Sequence, residues 1–571
     1  MEKSSVRHIM NNEYCYALDN DNILIKISLK AGDVKEVYLH YLDKYIQHKN
    51  THKKVKMTLV ASDGLLDYYE ATINVHMLCV RYYFEFLSSN SSNTSNIHDF
   101  YGNNRFFSKE ITDIAYMYDC PQPVKIEEMY NIPDWAKGAI VYEIFPDRFA
   151  PNSTPDKSWY KTPMQHHGML GGTLQGIISK IPYLKELGID VIYLTPIFRS
   201  NSNHKYDIID YFQIDPAFGT KEDLTNLVNL AHENDMKVIL DGVFNHTSPE
   251  FFAFKDVVEN GENSKYKDWY YIKDFPVKTS GKPNFLTFAY YGGMPKLNCT
   301  NEEVRKYVYD VVTYWIKECN IDGWRLDAAD EVGHDFWKQI RKKVRAVKSD
   351  ALLVGEIWHF TTSYISGDEW DTIMNYNFRT AVADYIGTHS IQASDFVHEF
   401  EYTRGISHTK THEVLWNLID SHDTGRFLHC ANENKAALKL ACAIQMITPG
   451  MPMIYYGDEV GITGGPDPDC RRGMLWDTNK QDLDMLNWYK KLISIRKSHP
   501  SITNGYRQYL TVDNDSDLIV LKVYDNNEEL YIIIHNGEND ATVNSLKDKT
   551  DLITDTSFDG TIGAYSIAIL K

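Results

Sequence analysis

From residue 138 to about residue 460, short and nearly continuous apolar runs alternate with longer stretches in which apolar residues recur at helical spacing. The runs are "GAIVYEIFPDRF" from 138, "IDVIYLTP" from 189, "KVILDGVFNH" from 237, "GWRLDAAD" from 323, "ALLVGEIWH" from 351, "TIMNYNF" from 372, "EVLWNLIDSHD" from 413 and "MPMIYYGDEV" from 451. Runs this short, without strict alternation, read as strands buried on both faces. Segments such as "TLQGIISKIPYLKELG" and "NEEVRKYVYDVVTYWIKECN" read as amphipathic helices between them. Eight strand-then-helix units predict an α/β fold, a (β/α)8 TIM barrel, with an inserted subdomain at about 247–300 in the long gap after the third strand.

The flanks have a different texture. In residues 1–122 the runs "NILIKISLKAG", "EVYLHYL" and "VRYYFEFLSSN" are separated by turn-rich segments such as "SSNSSNTSN", which predicts an all-β sandwich. The stretch "CPQPVKIEEMYNIPDW" reads as a linker into the barrel, placed at 123–500. Residues 501–571 return to short β runs, "DLIVLKVY" and "ELYIIIHNG", and predict a second sandwich.

Composition narrows the partners. The 571 residues carry a net charge of −19 with no long basic run, which argues against nucleic acid or an anionic membrane surface. No apolar run approaches the roughly 20 residues needed to cross a bilayer, and the N-terminus "MEKSSVRHIMNNEYCYALDNDN" shows no apolar leader core. The eight cysteines are scattered without a CxxC pair, so they read as reduced thiols in a cytoplasmic protein.

Candidate chemistry gathers where a barrel keeps its active site, at the C-terminal ends of the strands. Asn245 and His246 follow the third run, Arg325 and Asp327 sit at the fourth, and Glu356 at the fifth. Asp420, His422 and Asp423 end the seventh, and Asp458 and Glu459 the eighth. Arg325 and Asp327 are two apart, so on a strand they share a face. A strand-end Asp often only caps the next helix, but a carboxylate pair on neighbouring strands also suits retaining glycoside hydrolysis, whose two carboxyls stand about 5–5.5 Å apart. On this reading Arg325 depresses the pKa of Asp327, and apolar neighbours (Val354, Ile357, Trp358) raise that of Glu356.

Several stretches resemble a known family. "DGVFNH" (241–246), "GWRLDAADE" (323–331), "EIWH" (356–359) and "DSHDTGR" (420–426) resemble the signature regions of the α-amylase family of glycoside hydrolases. "MPKLN" (294–298), "HKYDIIDYFQIDPAFG" (204–219) and "YYGDEVGITGGPDPDCRRGMLW" (455–476) resemble its neopullulanase, cyclomaltodextrinase and maltogenic amylase branch. The resemblance implies a hydrolase of α-1,4-glucosidic bonds in cyclodextrins, maltodextrins and pullulan, with some α-1,6 cleavage and transglycosylation. It implies Asp327 as nucleophile, Glu356 as general acid/base and Asp423 as third carboxylate. Arg325, His246, His422 and Tyr206 would surround the reacting sugar, with His204, Asp467 and Arg471 beside the neighbouring glucose units. Phe288 and Trp358 match aromatic positions beside the scissile bond, and Glu331 a position tied to acceptor preference. The branch also implies a homodimer in which the starch-binding-like N-terminal domain covers the partner's active site.

The chain departs from the branch in two places. Where a calcium-binding loop is usual it has "APNSTPDKS" (150–158), with Thr173 after Gly171 and Gly172, and Asp156 is the one obvious carboxylate. No calcium, and no other cofactor, is expected there. Ala328–Ala329–Asp330 stands where Val-Ala-Asn is common. Two other readings are weaker: a non-catalytic scaffold would lose the carboxylates and gain a membrane anchor, and an oligo-1,6-glucosidase or glucosyltransferase fits "MPKLN" and the leading β domain poorly.

Overall fold

The computed structural model describes residues 1–10, 13–45, 52–88, 97–120, 131–165 and 168–571. The turn-rich 89–96 and most of the linker, 121–130, lie outside the described residues. Eight parallel strands close a barrel: β1 (Val141–Ile144), β2 (Val191–Leu194), β3 (Lys237–Gly242), β4 (Gly323–Leu326), β5 (Leu352–Gly355), β6 (Thr372–Asn375), β7 (Trp416–Leu418) and β8 (Met451–Tyr455). Each is one of the eight apolar runs, and every residue of β4 to β8 is buried. Val141, Val191, Tyr193, Ile239, Val354, Met374, Trp416 and Met453 pack inside the barrel, and the surrounding helices bury their apolar stripes on its outside.

Helices start where the sequence supplies caps. Asn301 accepts from the backbone N–H of Glu303 and Val304 to open Glu302–Cys319, and Thr220 with Asp223 forms a capping box ahead of Lys221–Glu233. The repeat differs from expectation once. Between β5 and β6, residues 356–371 form no helix. This stretch is short and rich in Ser, Thr and Gly, and Trp370 stacked on Tyr364 (4.3 Å, 5°) fills the volume instead. A Cβ at Gly355 would meet the Trp370 ring at 2.2 Å, so that strand end requires glycine.

Before the barrel, a four-stranded and a six-stranded antiparallel sheet face each other over Ile25, Ile27, Val37, Leu39, Tyr82, Phe84 and Phe86. This domain docks on the β6–β7 crossover, where Lys26 Nζ donates to the carbonyl of Ser407 at 2.5 Å and Tyr68 packs against Gly405. After the barrel, a six-stranded sheet carries a two-stranded ribbon on one face. Ile519, Leu521, Ile532 and Ile534 join the barrel's outer core, while Leu518, Val520 and Ile533 face the ribbon. Burial on both faces explains why these strands read as continuous apolar runs. Among the described residues no helix is long and apolar enough to cross a membrane.

Candidate active site

Arg325 lies at the centre of the barrel mouth, fully buried. β3 and β4 pair Asp241 with Arg325, and the ladder continues with Glu356 N donating to Leu326 O beyond β5. Asp327 and Glu356 therefore extend neighbouring parallel strands, whose backbones run about 4.8 Å apart. One guanidinium bridges them: Nη1 lies 2.9 Å from Asp327 Oδ1 and 2.9 Å from Asp241 Oδ2, and Nη2 lies 3.0 Å from Glu356 Oε2. Three carboxylates thus share one cation, an arrangement that favours holding a proton.

The electrostatics differ from the expectation drawn from the sequence. Burial pushes the Asp327 carboxyl well above the usual carboxylate range. Arg325 opposes that shift, but the charges on Glu356 and Asp241 reinforce it. Glu356 also has polar rather than apolar company. Its Oε2 accepts from Ala328 N at 2.8 Å, and its Oε1 from the Trp358 indole N–H at 2.9 Å. Val354 points into the barrel core instead. Asp327 Oδ2 has no hydrogen-bond partner among the described residues.

On the opposite wall His422 is clasped between two carboxylates: Nδ1 donates to Glu143 Oε1, and Nε2 lies 3.1 Å from Asp423 Oδ2. Burial lowers its proton affinity, yet Asp423 and Glu143 together raise it above the ordinary histidine value. Asp423 shows the converse: burial would raise it, but His422, Arg471 and Arg325 hold it below the usual range. Tyr206 lies parallel to His422 (5.5 Å, 5°) and its hydroxyl donates to Asp241 Oδ2 at 3.0 Å. Arg471 joins Asp423 (3.2 Å) to Asp467 (2.9 Å), and His204 stacks on Tyr206 at 5.9 Å. Burial lowers His204 to about 4 and His246 to about 3, so both are neutral imidazoles at pH 7.

The rim is aromatic. Trp358, 54% exposed, stacks on Tyr376 (4.3 Å, 11°) directly beside Glu356. Phe288, from the inserted subdomain, stacks on His246 (4.9 Å, 18°). The residues after it, Ala289 and Tyr290, take left-handed φ values of 48° and 60°, a strain of about 1–3 kcal/mol each that clusters at functional loops. Glu331 is one step further out, joined to Lys296 of "MPKLN" at 3.0 Å and to Asn245 Nδ2 at 3.1 Å. The thirteen residues to which the family resemblance gives roles fall into this one contact network. Asp420, Asp458 and Glu459 do not: Asp458 pairs with Arg426 (2.7 Å), Asp420 accepts from Phe427 N, and Glu459 accepts from Tyr142 and Tyr183.

Glu143, Tyr193, Asp241, Lys296 and Tyr376 also belong to the network and were not singled out. The first and third had a signal, since a carboxylate inside an apolar run ("IVYEIF", "VILDGV") is buried and needs a partner.

The loop at 150–158 and the Gly171–Thr173 turn beside it hold their polar groups in hydrogen bonds and an ion pair of their own. Asp147 accepts from Leu170 N and Gly171 N and pairs with Arg148 at 3.0 Å. Asn152 Oδ1 accepts from the Thr173 hydroxyl, and Asp156 Oδ1 is turned to Ser158 and Trp159 of its own turn.

Comparison with known proteins agrees with the geometry. Residues 143–482 match the alpha amylase catalytic domain, and residues 1–122 the alpha amylase N-terminal ig-like domain. The chain is 38% identical to a cyclomaltodextrinase of Geobacillus thermopakistaniensis, covering 95% of this chain and 92% of that one. It is 37% identical to neopullulanase 2 of Thermoactinomyces vulgaris, covering 94% and 92%. A solved cyclomaltodextrinase structure superposes over the whole of both chains with a TM-score of 0.93 at 34% identity.

Proposed function

The chain belongs to the α-amylase family and is an α-glucan hydrolase, and on that premise we propose that it opens cyclodextrins and shortens maltodextrins by retaining double displacement. Pullulan is a further substrate, and some α-1,6 cleavage and transfer to sugar acceptors accompany hydrolysis. The observation that carries this reading is the pair Asp327 and Glu356, side by side in strand register on one guanidinium, with Asp327 Oδ2 unpartnered. The one proton that the carboxylates around Arg325 hold sits on Glu356 in the reacting state, so Glu356 gives it to the glycosidic oxygen while the ionised Asp327 attacks the anomeric carbon through Oδ2 and forms a glycosyl ester. The Glu356 carboxylate then takes a proton from water, which breaks the ester and restores the α configuration. Asp423, held ionised, accepts from two sugar hydroxyls, and the neutral His246, whose Nε2 lacks a partner among the described residues, offers one more contact. Tyr206 and Trp358 supply stacking faces, Phe288 a wall beside the bond, and His204, Asp467 and Arg471 a floor for the adjacent glucose. Glu331 steers acceptors.

We place no metal in this chemistry, because proton transfer and sugar binding are both covered by side chains. The protein acts as a homodimer, with the N-terminal domain covering the partner's barrel mouth. The resemblance to the branch supports this, as do the exposed Tyr45 and Leu65 (61% and 68%) on that domain. A cytoplasmic location suits cysteines that form no disulfide among the described residues. The test is separate incubation with β-cyclodextrin, pullulan and soluble starch, following fresh products by chromatography and anomeric NMR. Fast cyclodextrin opening, slow starch attack and α-anomeric products are expected. Equal rates on starch would remove the covered-mouth dimer, and β-anomeric products the double displacement.

A further inference from the structure

The outer face of the N-terminal domain's larger sheet carries a cluster unrelated to the barrel. His40, on strand Glu36–Asp43, is buried and pairs in register with Tyr83 of strand Val80–Ser88. His52 stands just before strand Lys53–Lys56, and Glu110 just after strand Arg105–Phe107. Their ligand atoms all lie within 4.8 Å of one another.

The hydrogen bonds fix where the protons are. His40 Nε2 lies 2.6 Å from Glu85 Oε2, a carboxylate that can only accept, so Nε2 carries the hydrogen. With Nε2 as the donor, the neutral imidazole presents Nδ1 as a bare lone pair. That atom has no hydrogen-bond partner among the described residues and faces Glu110 Oε1 at 3.9 Å. The Tyr83 hydroxyl donates to Glu110 Oε1 at 3.1 Å and so must accept from His52 Nε2 at 3.2 Å. In the neutral tautomer that donates from Nε2, His52 Nδ1 is a lone pair 3.7 Å from the same Glu110 oxygen. Three potential ligand atoms converge, and a single cation would satisfy all three.

We propose that His40, His52 and Glu110 form a zinc site in the N-terminal domain, with water as the fourth ligand. Two imidazole nitrogens and one carboxylate oxygen suit Zn²⁺ rather than Ca²⁺ or Mg²⁺, which take oxygen. Ligands on a tetrahedral zinc stand about 3.4 Å apart, so binding would draw in ligand atoms that now lie within 4.8 Å of one another, which the half-exposed His52 and Glu110 side chains have room to do. Glu85, itself braced by His98 Nδ1 (2.7 Å) and Lys54 Nζ (2.6 Å), orients His40 as an outer carboxylate orients a metal-bound imidazole. Glu110 and His52 are half-exposed and give the ion its entry path. The site clips the segments holding His52 and Glu110 to the sheet and does not depend on the reading of the barrel.

The test uses the full chain, stripped with chelator and then exchanged with Zn²⁺ or Co²⁺. Wild type is expected to retain one equivalent of zinc after gel filtration and to give the visible absorption of tetrahedral Co²⁺. His52→Ala and Glu110→Gln, both at half-exposed positions, are each expected to lose that equivalent and weaken zinc at least about tenfold. Their circular dichroism spectra and metal-free thermal midpoints should match wild type, which reports that they fold. No zinc retained by wild type, or retention unaffected by His52→Ala, would overturn the site.

Discussion

Arg325 and Arg426 both stand fully buried at the C-terminal end of this barrel, each beside carboxylates. Arg325 meets Asp241, Asp327 and Glu356, while Arg426 meets Asp458, with Asp420 close by. Arg426 lies over the Tyr455 ring at 3.8 Å and that of Tyr456 at 5.0 Å, and it donates to Cys470 O at 2.9 Å. Asp458 beside it is 2% exposed. Arg325 keeps two of its carboxylates at the mouth, Asp327 and Glu356 each 7% exposed, with the half-exposed Trp358 alongside. A buried ion pair is therefore a support where aromatic faces seal it and a reaction centre where it holds more anion than cation beside an opening.

Substitutions should separate the two clusters. Asp327→Asn removes the attacking oxygen and is expected to lower cyclodextrin hydrolysis by about 10³-fold or more, measured as kcat/KM, with thermal stability retained. Glu356→Gln should lose about 10²–10⁴-fold on cyclodextrin. On an aryl maltoside whose leaving group needs no proton, the loss should be much smaller. Asp458→Asn should do the reverse, costing about 3–5 kcal/mol in chemical denaturation because Arg426 is left buried and unpaired. Activity per folded molecule should stay near wild type. If Asp458→Asn instead abolished turnover in folded protein, the contrast between the clusters would fail.

Smaller effects sharpen the picture. His422 is held protonated above its ordinary value, so the stability of its pairing with Glu143 and Asp423 is full below about pH 6.5 and is lost as pH rises through the folded-state value. The denaturation midpoint should fall across that rise in wild type and flatten in His422→Asn. Lys296→Ala frees Glu331 from its 3.0 Å pair at the rim. It is expected to change the ratio of transfer to hydrolysis a few-fold, read by product chromatography, with hydrolysis itself altered less.

The barrel was legible because eight strands buried on both faces leave eight apolar runs, and the structure seats each run as a strand. The missing fifth helix was not, since an apolar run followed by a polar stretch says nothing of whether Trp370 will fill the gap. At the site, strand-end position together with motif resemblance picked out side chains that the structure joins in one network. What escaped were the residues that set the charge balance, Glu143 and Asp241, and with them the direction of the Asp327 shift. Charge balance depends on which strands become neighbours, and the β3–β4 ladder that joins Asp241 to Arg325 spans 84 residues of sequence. The His40, His52 and Glu110 cluster escaped for the same reason, as no local spacing links a mid-strand histidine to two residues beside other strands.

The central claim is that Asp327 forms a covalent bond to the sugar. The most direct measurement is intact-mass and peptide analysis of Glu356→Gln after reaction with α-maltosyl fluoride, whose leaving group needs no protonation and whose ester this variant hydrolyses slowly. The account predicts one maltosyl unit on the peptide containing Asp327, absent in Asp327→Asn. An adduct on another carboxylate, or β-configured products released with no adduct, would contradict it.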